Sequence, residues 1–297
     1  MDILKFYLVY IPLAVIATIL IIKYLNKKDS KQRYRFLIIL ATIVLIIHLT
    51  KPFFFPYNTK LFPNILRKIT FENICAVSAL IYLPVLLWKN KIALDYIAII
   101  GMLGGFLAFL VPSEVILGRF DSMVVTDELE LTKMFNLFNY DTIRFYVTHY
   151  LLFLIPFLLL YYDLHRFNIK RIFYFPISVI TILLIIFLNE LVLHKLGWLD
   201  EIYEYVGVSN YKEVFFDHNI RNSSFVFGIP DEFGKIGLIF TVIVPKFLKT
   251  PYVPVAWIII PAFVYGPLLY LGFLNINKKI LIKKRKKVRM IIWVYQH

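Results

Sequence analysis

One cysteine, Cys75, stands in a chain of 297 residues. A single thiol cannot close an internal disulfide, so cysteine usage says nothing about an oxidising compartment. It also rules out a Cys-x-x-Cys pair, and the six histidines show neither His-x-x-x-His nor His-Glu-x-x-His spacing. No metal site of a familiar ligand pattern is expected. A Gly-x-Ser-x-Gly elbow and a phosphate-cradling P-loop are absent too, and no cofactor is implied. No Gly/Ser linker, low-complexity tract or fixed-period repeat divides the chain, and no inverted repeat of the transporter kind is visible.

What the chain has instead is apolar length. It is 60% hydrophobic with a mean hydropathy of +0.73, more than a soluble domain of this size hides. The apolar residues fall in blocks near the roughly 20 residues that a membrane helix needs. Hydropathy places them at 3–25, 34–51, 72–89, 92–112, 143–162, 172–194 and 254–274. The expected fold is all-α, a polytopic bundle of seven transmembrane helices. Residues 1–275 would be one membrane domain and 276–297 a basic cytoplasmic tail. The first block reads as a retained span. Its apolar stretch is long for a signal peptide, Asp2 stands where a basic residue is usual, and no small-residue cleavage site follows.

Acidic residues are few, 19 against 33 Lys and Arg, for a net charge of +14. The cations cluster in alternate connections: Lys27, Lys28, Lys31, Arg33 and Arg35; then Lys89 and Lys91; then Arg166, Lys170 and Arg171; then the tail from Lys278. The positive-inside rule gives N-terminus out and C-terminus in. One connection dissents, with Lys51, Lys60, Arg67 and Lys68 on the outer side. The tail suits anionic lipid head groups, or simple topology control, better than nucleic acid. Two outer segments, 113–142 and 195–253, exceed turns. The first carries an amphipathic piece around Leu129 to Phe138. The second carries a polar stretch, 208–233, that suits a cap, and an apolar stretch, Ile236 to Val244, too short to span.

Ionisable groups at membrane depth are costly and so mark candidate sites. Counting in from the outer side, Cys75 lies about four residues deep and His149 about six, roughly 6 and 9 Å at the helical rise. His48, Ser78 and Asn189 fall in the same layer. Glu72, Cys75 and Ser78 are spaced i, i+3, i+6 on one face, and Arg144 lies one turn outward of His149. A thiol beside an imidazole forms a nucleophile and base, and an asparagine orients the ring. The same residues also have structural readings, a small packing cysteine and a histidine bonded to a neighbouring helix.

The stretch Asn73-Ile-Cys75-Ala-Val-Ser78-Ala-Leu-Ile resembles the start of the third span in YwaF-type bacterial membrane proteins. These are relatives of the animal transmembrane protein 164 acyltransferase. Gly101-x-x-Gly104-Gly105 with Pro112 is similar to the family's glycine-rich fourth span. Arg144-Phe145-x-x-x-His149 with Pro156 resembles its fifth-span histidine motif, and Asn189 matches an asparagine near the end of the sixth. The resemblance implies a cell-membrane acyltransferase acting on membrane phospholipids, with Cys75 as nucleophile and His149 as base. Asn189, Ser78, His48, Glu72 and Arg144 are the supporting candidates. Where the family commonly reads His-Leu-Cys-Asp, this chain has Asn73-Ile74-Cys75-Ala76. A non-catalytic binder or transporter using the same outer polar layer is the alternative.

Overall fold

A computed structural model describes residues 3–54, 65–110, 137–198, 226, 228, 242–249 and 254–296, with side chains as far as 280. The outer segments expected at 113–142 and 195–253, with their amphipathic, polar and apolar stretches, lie largely outside the described residues, as do Pro112 and Lys60.

Among the described residues there are seven long helices and no strand. They are α1 (Ile3–Asn26), α2 (Ser30–Leu49), α3 (Ile74–Trp88), α4 (Lys91–Leu110), α5 (Tyr140–Tyr161), α6 (Tyr174–Lys195) and α7 (Ala256–Gln296). Six are long and apolar enough to cross a membrane. The chain is a multi-pass helical membrane protein. α3 is the exception, with 15 residues covering about 22 Å, against a hydrocarbon core of roughly 30 Å. The region expected to be tail after residue 275 continues α7 as helix to Gln296.

Asparagine and aspartate set the helix starts. Asp29 and Gln32 form a capping box on α2. Asn73, Asn90 and Asn139 cap α3, α4 and α5 by accepting from backbone N–H groups of the first turn. Lys89, in the left-handed region at φ 55°, closes α3 immediately before Asn90 opens α4. A two-residue turn therefore joins these helices.

α5 is the most buried of the six membrane-length helices and α1 the least. α5 contacts α1, α2, α3 and α4, while α6 packs on α3, α4 and α7. Where α4 meets α5, Gly105 is required. A Cβ there would sit 2.7 Å from the His149 carbonyl oxygen and 2.7 Å from the Phe153 nitrogen. At Gly104 it would meet nothing within 4 Å. Gly105→Ala is therefore expected to destabilise the bundle by about 1–3 kcal/mol and Gly104→Ala to be near neutral, as read by thermal unfolding in detergent. Gly101, in a π turn at Ile97–Gly101, lies under the Tyr82 hydroxyl, which donates to the Leu152 carbonyl at 2.9 Å.

The basic connections gather at one end. Arg33 lies 4.4 Å over the Tyr162 ring, and Tyr162 bonds the Ile22 carbonyl at 3.0 Å. Tyr34 bonds the Leu86 carbonyl at 2.8 Å, with Lys89 above its ring. The starts of α2, α4 and α6 and the ends of α1, α3 and α5 thus share one face of the bundle.

Candidate functional site

The opposite end holds Cys75. There α2 gives way to a 3-10 turn at Lys51–Phe53, and a second 3-10 turn at Ile65–Ile69 leads to α3. The two turns pack together. The Thr50 and Tyr140 hydroxyls lie 3.3 Å apart, which ties this corner to the start of α5. The Asn189 amide donates to the Thr70 hydroxyl at 3.0 Å, and that hydroxyl donates to the Arg67 carbonyl at 2.6 Å. The end of α6 is thereby fastened to the same corner.

Cys75 is the second residue of α3, half-buried and packed on the main apolar core. The first turn is the positive end of the helix dipole, where developing negative charge is favoured. Ser78 is buried one turn further along. Glu72, expected on the helix face, precedes the Asn73 cap and lies outside α3. Asn73 accepts from the Ala76 N–H at 2.8 Å. Asn73 is therefore what starts this helix.

His149 is buried two turns into α5, against the Phe145 ring. Its Nδ1 lies 2.8 Å from the Phe145 carbonyl oxygen. A carbonyl only accepts, so Nδ1 carries the proton and Nε2 keeps its lone pair when the ring is neutral. The described contacts of His149 go to its own helix and to the close approach of Gly105. A thiol–imidazole hydrogen bond to Cys75 is not among them. The two residues come from helices in direct contact, α3 and α5.

Charged side chains gather at this end. Arg144 donates to Asp141 through Nε at 2.9 Å and Nη2 at 2.6 Å, both residues buried. Lys68 pairs with Glu72 at 3.2 Å, and the Lys51 ammonium donates to the Lys68 carbonyl at 3.1 Å. His48, buried, lies in the field of Lys51, Glu72 and Arg144, while Lys51 and Arg144 also act on His149. Of the expected supporting residues, Arg144 acts on both His149 and His48, Glu72 acts on His48, and Asn189 is spent on Thr70. Lys51, Arg67 and Lys68 are buried members of this layer that were not named as candidates. Their signal was the one connection whose charge broke the topology rule.

Burial, with Arg144 and Lys68 adding to it, pushes the Lys51 ammonium down to about 7, although Glu72 opposes this. Burial alone would raise Glu72, but Lys68, Lys51 and Arg67 outweigh it and hold the carboxyl at about 2. For Lys51 the folded value lies below the unfolded one, so the unfolded chain binds the extra proton between about 7 and 10.5. Stability therefore rises with pH across that window. Wild type is expected to gain more thermal stability from pH 7 to pH 9 than Lys51→Met does. Parallel pH profiles would contradict a buried, strained ammonium. Glu72 acts oppositely at the acid end: its contribution is complete above about 4.5 and is lost as pH falls through about 2.

Among the described residues no cluster of His, Cys, Asp or Glu is arranged to hold a metal ion. In a comparison with family models, that of the TMEM164 family matches residues 4–228. No curated protein and no solved structure matches the chain.

Proposed function

Because the chain belongs to the TMEM164 family, we propose that it is a phospholipid acyltransferase of the cell membrane, working through Cys75 and His149. The observation that carries this reading is the contact of His149 Nδ1 with the Phe145 carbonyl oxygen. With Nδ1–H given to the Phe145 carbonyl, Nε2 is the proton acceptor, and it lies in the same polar end as a thiol in the first turn of α3. In the proposed reaction His149 takes the thiol proton as the sulfur attacks the ester carbonyl carbon. The ester C–O bond then breaks and the leaving alkoxide recovers the proton from His149, which leaves an acyl thioester on Cys75. The hydroxyl of a second, lysophospholipid acceptor loses its proton to His149 and takes the acyl group, regenerating the thiol. Closing the Cys75–His149 pair on substrate is part of this proposal. Apo geometry in such sites is commonly looser than the reacting one.

The gathering of basic connections at the far end supports N-terminus out and C-terminus in. The Cys75 layer then faces the outer leaflet, near the depth of a lipid ester. The test is transfer of a labelled acyl chain from phospholipid to lysophospholipid in vesicles containing the purified protein. Transfer above protein-free vesicles is expected, and none with any common phospholipid class would remove the proposal. A transporter would need a passage through the far end, where Asp95 is bonded by His165, Arg171 and Tyr270.

A further inference from the structure

The basic end of the bundle contains a cleft of about 430 Å³ between the α3–α4 turn and the segment joining α5 to α6. Lys89, Lys91, Arg166 and Arg171 line it with His165, and no carboxylate does. Its apolar floor includes Leu94, Leu164 and Phe167. Behind the wall, Asp95 is 1% exposed and accepts from His165 Nε2 at 2.7 Å, Arg171 Nε at 2.6 Å and Tyr270 at 2.9 Å. This buried carboxylate holds two cleft-lining side chains in fixed positions. Arg171 uses Nε and Nη2 on Asp95 and the Arg166 carbonyl, and its Nη1 takes no part in those bonds. Arg166 is paired with Asp163, outside the lining. Four cations thus face the cleft, answered by two carboxylates set away from it. Lys91 is exposed, and Lys89 is exposed over the Tyr34 ring.

We infer that this cleft binds a phosphate group, that of an anionic lipid head group in the leaflet at this end. Arg171 Nη1, which lies outside the Asp95 and Arg166 bonds, and the ammonium groups of Lys89 and Lys91 supply charge-assisted donors for phosphate oxygens. The volume fits a head group, and a site at helix ends is where lipid phosphates lie. The site is remote from Cys75 and independent of the acyl-transfer reading.

The test uses the full chain in nanodiscs of phosphatidylcholine with or without phosphatidylglycerol, read by thermal unfolding and by native mass spectrometry of retained lipid. Lys89→Gln/Lys91→Gln removes two exposed cations without touching the Asp95 network. Lys27→Gln/Lys31→Gln removes two exposed cations at the same end but outside the cleft. Wild type is expected to retain phosphatidylglycerol about tenfold better than the cleft variant, with the Lys27/Lys31 variant like wild type. Equal retention by all three, or an equal loss in both variants, would overturn the proposal. Glycerol phosphate added to phosphatidylcholine nanodiscs separates the sources. Stabilisation of wild type but not the cleft variant would assign the site to a soluble phosphate compound, and stabilisation by phosphatidylglycerol alone to the lipid head group.

Discussion

Cys75→Ala is expected to lower phospholipid acyl transfer by roughly a thousandfold or more, since removing a nucleophile removes the covalent step itself. His149→Gln should cost about a hundred- to ten-thousandfold, the range for losing a general base. Combining the two should cost little beyond the larger single effect, because residues that act as one unit are not additive. Cys75 is half-buried at a helix start and Asn73 still caps α3 without the thiol. The alanine variant is therefore expected to fold, and its unfolding temperature distinguishes lost chemistry from lost structure. Wild-type transfer by both variants would show that the reaction lies elsewhere in the chain.

Asp95→Ala should give the largest loss of stability, about 3–5 kcal/mol, the scale for removing one partner of a buried charge pair. The carboxylate sits at 1% exposure and joins three separate parts of the chain. Its partners are Tyr270 on α7, and His165 and Arg171 in and after the segment that leaves α5. Without it the Arg171 guanidinium loses the carboxylate that neutralises it. Tyr270→Phe, which deletes one hydroxyl and leaves the ion pair, should cost only about 1 kcal/mol. Unfolding temperatures measured in detergent give both values. If Asp95→Ala matched wild type, the cluster would not be what fastens α7 to α4.

Much of this bundle is legible in the sequence because hydrocarbon demands continuous apolar helix. The seven apolar blocks coincide with the seven helices to within a few residues, apart from the C-terminal end of α7. The exact starts are not read from hydropathy, which gives 34, 92 and 143; the caps Asp29, Asn90 and Asn139 set them at Ser30, Lys91 and Tyr140. α3 was harder. The apolar run suggested a start at residue 72, but Asn73 takes the capping position and leaves Glu72 to an ion pair with Lys68. Hydropathy does not see such a local competition.

The polar layer was legible in depth but not in partnership. His48 lies in the field of Glu72 and Arg144, and Arg144 also acts on His149. Asn189 has the right depth, yet it reaches Thr70, because hydropathy fixes height in the bundle and not rotation about it. The burial of Lys51, Arg67 and Lys68 showed only as a violation of the charge rule. The Asp95 cluster left no local trace, since Tyr270 is 175 positions away.

The most direct test of the acyl-transfer proposal is the intact mass of the purified protein after incubation with phospholipid vesicles. The expected result is a mass increase of one acyl chain, mapped to Cys75, released by neutral hydroxylamine and absent from Cys75→Ala. An unmodified Cys75 in a preparation that is transferring acyl chains, or an adduct that persists in Cys75→Ala, would contradict it.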